Sequence, residues 1–197
     1  MTPALAILLK APRLGMVKTR LAAEIGDRHA LRLYRVMASR TLAAASEAGL
    51  DATVWFTPAD AGAEMRLWLG ERWDLRPQAA GDLGARLAAA EQAVSRGRPW
   101  LAIGADCPRL DAVLLREAGA IVARDEAVLG PSEDGGYYLI GGPTPLPALF
   151  DSMPWSTSRL LAETRARLTR AGVVWRELPT LRDVDTAADA RAEGLLT

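Results

Sequence analysis

The stretch "LLKAPRLGMVKTRL", residues 8–21, decides how the chain is read. It opens on the end of "ALAILL" (4–9), an unbroken apolar run of the length and make-up of a strand buried on both faces. It passes through a loop in which Gly15 permits a tight turn, and it closes on Lys18-Thr19-Arg20, a predicted helix start. Lys10 and Lys18 are the only lysines in 197 residues; the other 22 of the 24 Lys+Arg are arginine. A strand, a glycine-containing loop and a helix N-terminus together present backbone N–H groups. With two ammonium groups and a guanidinium added, Lys10, Gly15, Lys18, Thr19 and Arg20 make a candidate phosphate site. The stretch is not a Walker A loop, because residue 10, five before Gly15, is lysine where that motif needs glycine. An ordinary basic surface loop is the plain alternative.

Working outward, short apolar runs alternate with helical patterns. Leu31, Tyr34, Met37, Ala38, Thr41, Leu42 and Ala45 mark one face of a helix over 28–48. "ATVWF" (52–56) reads as a strand, 60–70 as a helix and "WDLRPQ" (73–78) as a short edge strand, where Pro77 is tolerated. Leu83, Leu87, Ala90 and Val94 mark a further helix closed by Gly97. "WLAIG" (100–104), a helix over 110–123, "AVLG" (127–130) and "YYLIG" (137–141) follow. "STSR" (156–159) offers N-cap residues for a helix to about 171, before a last strand "VVWREL" (173–178) and a last helix "TAADARAEGLL". The Pro-rich "GGPTPLPALFDSMP" (141–154) reads as a loop over a binding site. Such alternation predicts an α/β fold in one domain, residues 1–197, with a mostly parallel mixed sheet and helices on both faces. Ligands of such sheets bind beyond the carboxyl ends of the strands.

The bulk properties are those of a globular chain, half hydrophobic with zero formal net charge. Nothing global points to nucleic acid or an anionic membrane. Charge is uneven, however. Residues 1–40 hold eight basic and two acidic side chains, a net of +6, which the rest of the chain cancels. Cys107 is the only cysteine, so no intrachain disulfide forms, and a reducing, cytoplasmic setting is expected. No run approaches the roughly 18 apolar residues of a membrane span. The six tryptophans suit a core or an interface equally, which leaves the oligomeric state open.

Three more post-strand segments carry carboxylates. In "IGADCPRL" (103–110), Asp106 is placed to hold Mg²⁺ or Mn²⁺ against a diphosphate. A turn or capping role is its alternative. Cys107 reads as a buried structural thiol, since the only histidine, His29, lies in a distant helical pattern and reads as exposed. In "GPSEDGGYYLIGG" (130–142), Asp134 is placed to orient or deprotonate an acceptor, although Asp-Gly is also a turn signal. In "RDVDTAADA" (182–190), Asp185 is a second candidate metal carboxylate, and Thr186 a helix cap. A less specific segment, "QAAGDLGARL" (78–87), offers a glycine-containing turn on which a base could lie.

The ordered set "KAPRLGMVKTRL", "GDLGARL", "GADCPRL", "GPSEDGGYYLIG", "WST" and "DVDTAADA" resembles bacterial nucleotide-diphospho-sugar transferase-like proteins, glycosyltransferases related to phospholactate guanylyltransferases. The resemblance runs from about residue 5 to 190. It implies a GT-A-type, Rossmann-like fold that binds a nucleotide diphosphate and a divalent metal. It places Lys10, Lys18 and Arg20 at the phosphates, Asp106 and Asp185 at the metal, and Gly81, Asp82, Leu83 and Gly84 near the base. Asp134 belongs to its acidic motif. Two features depart from the wider superfamily. The glycine-rich G-G-x-G-T-R start of sugar-activating nucleotidyltransferases is absent, and Pro108 stands where a D-x-D motif has its second aspartate.

The expected activity is metal-dependent transfer of a sugar from a nucleotide sugar to a small acceptor, with Lys18 and Asp134 in catalytic roles. The alternatives are nucleotidyl transfer from a nucleoside triphosphate to a phosphorylated small molecule, and a nucleotide-binding module without catalysis.

Overall fold

The computed structural model describes residues 2–146 and 149–196. Seven strands form one sheet in the order β3-β2-β1-β4-β6-β5-β7. They are β1 (Ala4–Lys10), β2 (Asp51–Thr57), β3 (Asp74–Pro77), β4 (Trp100–Ile103), β5 (Ala127–Pro131), β6 (Tyr137–Gly142) and β7 (Trp175–Glu177). All pairings are parallel except those of β6, which runs antiparallel to both β4 and β5. The chain places β2 and β3 on one side of β1 and β4 on the other. Strand order therefore reverses between β1 and β4, which opens a crevice at their carboxyl ends.

The helices are α1 (Thr19–Ile25), α2 (Asp27–Ala48), α3 (Gly62–Leu69), α4 (Leu83–Ser95), α5 (Ala112–Val122), α6 (Leu160–Arg170) and α7 (Ala187–Ala192). Alternation along β1 sorts them onto two faces. Leu5, Ile7 and Leu9 pack against α2, α3 and α5 through Leu42, Met65 and Leu115. Ala4 and Ala6 share the opposite core with Leu87 and Ala90 of α4 and Leu161 of α6. A third cluster joins α1, α2 and α7 through Leu21, Met37 and Ala190. The predicted mixed sheet with helices on both faces is the observed one.

One predicted cap differs. "STSR" does not cap α6: Ser156 takes a left-handed conformation, and Arg159 stands at the N-cap without a side-chain bond. Thr157 instead donates to Pro154 O, which holds the preceding turn. The Pro-rich segment also differs in its described part, with Pro147 and Ala148 outside the described residues. Leu149, Phe150 and Met153 are buried, and Trp100 Nε1 donates to Thr144 O at 3.0 Å. Leu149 and Phe150 complete the core on the α4 side, while Ser156, farther along, reaches the cavity described below.

Glu91 on α4 anchors this segment. It is 1% exposed and accepts a hydrogen bond from Leu146 N at 2.5 Å. Burial raises its pKa to about 7, against the lowering effect of that amide. The folded state therefore holds a proton that the unfolded chain, near 4.5, has released. The associated stability is full below about pH 4.5 and is lost as pH rises to about 7. Gln keeps the acceptor and removes the titration. In chemical denaturation, Glu91→Gln should gain about 2–3 kcal/mol over the parent between pH 5 and pH 8. A difference that does not change with pH would contradict this account.

Candidate active site

The crevice is a cavity of about 520 Å³. Leu8, Leu9 and Lys10 reach it from β1, Thr57 and Gln78 from the ends of β2 and β3, and Ala102 to Asp106 from β4. Lys18, Thr19 and Arg20 enter from the start of α1, Leu83, Arg86 and Leu87 from α4, and Asp185 from the segment before α7.

Lys18 sits at the centre of its polar part. Its side chain is 5% exposed, and Nζ lies 2.6 Å from Asp106 Oδ1 and 3.0 Å from Asp185 Oδ1. Burial works against the ammonium, but the two carboxylates outweigh it, and the pKa is raised above the ordinary lysine value. The backbone at Lys18 is left-handed, φ 48° and ψ 48°, which is uncommon outside glycine. That turn ends the loop and begins α1. Arg20 is mostly exposed, with a long 3.7 Å contact to Asp185 Oδ2.

Asp185 reaches the site by a threaded segment. After β7 the chain continues along the end of β5: Leu178 N donates to Leu129 O, Leu181 N to Pro131 O and Glu133 N to Leu181 O. It then crosses to the β4 side, where Val184 N donates to Asp106 O at 2.9 Å. A capping box of Thr186 and Asp189 fixes the start of α7 directly after Asp185. Both aspartates are thus positioned by backbone ties as well as by Lys18. Asp183, on the same segment, is raised to about 6 by burial first and by Asp134 and Asp185 next.

Lys10 ends β1 with an exposed side chain that makes no ion pair among the described residues. Its backbone is held at both polar atoms by the buried Tyr34 hydroxyl, which accepts from Lys10 N at 2.8 Å and donates to Lys10 O at 2.7 Å. Sequence reasoning missed Tyr34 because its helical spacing marks it only as core.

The other expected site residues are distributed differently. Gly15 takes φ 73° outside the cavity lining, beside the Asp27 carboxylate. Asp82 caps α4, accepting from Ala85 N at 2.9 Å. Gly81 takes φ 109° in the turn before it. Leu83 lines the cavity; Gly81, Asp82 and Gly84 do not. Asp134 is exposed and is not among the residues that line the cavity; one of its carboxylate oxygens accepts from the Ser132 hydroxyl and from Gly136 N. Cys107 is buried, and burial first, then Asp183 and Asp106, push its thiol pKa up. His29 is exposed on α2. Gln78, Arg86, Tyr137 and Ser156 line the cavity, though the sequence marked none of them as a site residue. The buried Tyr137 hydroxyl has no hydrogen-bond partner among the described residues.

A family model described as "Uncharacterized protein conserved in bacteria (DUF2064)" matches residues 41–157. The chain belongs to the DUF2064 family. This DUF2064 protein is similar over 98% of its length to a protein of Desulfovibrio desulfuricans G20 provisionally named a nucleotide-diphospho-sugar transferase. The identity is 30%, 87% of that chain is covered and the TM-score is 0.91. Rv0371c of Mycobacterium tuberculosis, in a manganese complex, is 21% identical over 99% of this chain and 98% of its own, with a TM-score of 0.59. A Methanothermobacter nucleotidyl transferase is 15% identical over 97% and 95%, with a TM-score of 0.63. At these lower identities the likeness shows the fold alone. No curated protein matches the chain. Among the described residues, no helix is long and apolar enough to cross a membrane.

Gly84 gives a test of the site's framing. A Cβ there would lie 2.6 Å from Phe150 O and 2.9 Å from the Trp155 ring. Gly84→Ala should therefore destabilise the fold by about 1–3 kcal/mol in urea titrations, despite its better helix propensity. A stabilised variant would show that α4 does not need this close approach.

Proposed function

We propose that this DUF2064 protein is a metal-dependent transferase that moves a sugar from a nucleotide-diphosphate donor to a small acceptor. The observation that carries the proposal is the meeting of Lys18, Asp106 and Asp185 at the crevice where strand order reverses.

The carboxylate pair suits a divalent ion of one kind. Among the described residues, no three His, Cys, Asp or Glu side chains gather to hold a metal by themselves. Two carboxylates at one point are what Mg²⁺ or Mn²⁺ uses when water and substrate phosphates complete its ligands. Asp106 and Asp185 would hold that ion, which when bound supplies Lewis-acid stabilisation of the leaving diphosphate. Lys10 and Arg20, exposed in the cavity, bind and orient the diphosphate, and Lys18 adds positive charge beside it. Charge placed where a diphosphate departs contributes several kcal/mol to lowering the barrier. In the transfer, a bond forms from an acceptor oxygen to the anomeric carbon. The bond from that carbon to the diphosphate breaks, and the acceptor proton passes to a base. Asp134 is the base proposed, because its second carboxylate oxygen accepts no hydrogen bond among the described residues.

In a second reading, nucleotidyl transfer, the same ion and lysines act on the α-phosphate of a nucleoside triphosphate; the chain lacks both the second aspartate of a D-x-D motif and the glycine-rich start of sugar-activating nucleotidyltransferases. The leaving group separates the two. Incubation with nucleotide sugars and an acceptor panel should release nucleoside diphosphate. Pyrophosphate released from a nucleoside triphosphate would instead establish the second reading, and tight binding with no turnover would establish a non-catalytic module. Asp106→Asn should abolish metal-dependent nucleotide binding in thermal-shift assays, where the parent gains about 2.7 kcal/mol at ~100 times the dissociation constant. Parent-like binding and turnover by Asp106→Asn would remove Asp106 from the metal site.

A further inference from the structure

The loop between β1 and α1 is buried at its two ends, Ala11 and Val17, and exposed between them at Leu14, Gly15 and Met16. Within residues 12–16 the backbone hydrogen bonds are local: Arg13 N donates to Ala11 O and Met16 N to Arg13 O. Among the described residues, one side chain of these five ties the loop to another element by a polar contact. Arg13 Nε donates to Glu64 Oε2 at 2.8 Å, and Nη2 lies 3.3 Å from Asp60 Oδ1. Glu64 is in the first turn of α3, and Asp60 is in the 3-10 turn Ala59–Ala61 just before it. Both elements are seated in the core, through Met65 and Ala61. The Arg13 and Glu64 side chains are each 35% exposed and Asp60 is 74% exposed, so the shorter pair with Glu64 is the main tie. Arg13 does not line the cavity, whereas Val17, Lys18, Thr19 and Arg20 do.

We propose that Arg13 is a positioning residue for the phosphate site: through Glu64 it fixes the loop that delivers Lys18 and Arg20, without touching the ligand. The inference rests on a diphosphate binding at these residues, as proposed above. Lys18 does not fix the loop alone. Its ammonium is held by Asp106 and Asp185, and an arriving phosphate oxygen competes for the same three N–H donors. Leu14 and Met16 are exposed and add no buried anchor. The Arg13 pair lies outside the cavity lining and is untouched by that competition. A loop already held in its binding conformation loses less affinity to being ordered when the ligand arrives.

The test is calorimetric titration with inorganic pyrophosphate and Mg²⁺. Arg13→Met should weaken binding roughly three- to fivefold, the range of one partly exposed ion pair, with a urea midpoint close to the parent's. Glu64→Arg should weaken it by a similar factor, although it replaces a negative charge by a positive one. The exchange of Arg13→Glu together with Glu64→Arg should recover most of the loss, and Arg13→Lys, which keeps a cation opposite Glu64, should stay near the parent. Unchanged or tighter pyrophosphate binding by Glu64→Arg overturns the proposal, because Arg13 would then act only as a distant charge. Unchanged binding by Arg13→Met overturns it as well, and so does an exchange that recovers nothing. Each of these results leaves the transferase reading intact. If the parent binds neither pyrophosphate nor UDP, GDP, CDP or ADP, both readings fall.

Discussion

The Lys18 ammonium, held between Asp106 and Asp185, is the contact on which the site depends. It joins three segments far apart in sequence: the loop after β1, the turn after β4 and the thread before α7. A side chain 5% exposed carries a full charge only if its partners make up for lost hydration. Here two carboxylates do, and both stay half-exposed, so their own desolvation is modest. The arrangement also explains the left-handed backbone at Lys18. The chain must turn sharply to send the side chain inward and still begin α1 at the next residue. Such conformations persist where surrounding structure over-determines them.

The choice of lysine follows from the same geometry. An ammonium is compact and offers three donors, so it can sit between two carboxylates that approach from different directions. A guanidinium is a planar fork matched to one carboxylate at a time. A chain that is otherwise rich in arginine keeps lysine where a point charge is required. Lys10 differs: its backbone is pinned by Tyr34 and its side chain faces the cavity without an ion pair among the described residues.

Much of the fold was legible because its signals are local and repeated. The run "ALAILL" reads as a strand covered on both faces, and the spacing of Tyr34, Met37 and Leu42 as a buried helix face; both are observed. The convergence of Lys18, Asp106 and Asp185 was legible because each follows a strand of one sheet. What the sequence concealed depends on contacts between segments. "STSR" has cap-forming residues, but its turn is used to place Thr157 and Ser156 elsewhere. Gly84 has the look of a ligand-approach glycine, yet its missing Cβ is occupied by Phe150 and Trp155. Gln78 opens "QAAGDLGARL", but nothing in that segment shows that two carbonyls on neighbouring strands fix its amide.

Charge balance constrains how a donor can enter. Asp106 and Asp185 contribute two negative charges, and Lys18 with the more distant Arg20 contributes two positive ones. These four charges cancel, and Asp183 on the same segment adds a further carboxylate that feels both Asp185 and Lys18. A diphosphate, on the proposed function, brings at least two negative charges to the exposed Lys10 and Arg20 side chains. On the proposed function, cation and diphosphate then suit the site better together than either does alone, because their charges cancel within a cavity whose walls are partly apolar. Lys18 holds the two carboxylates in the resting protein, and on the proposed function it also lies beside the phosphates.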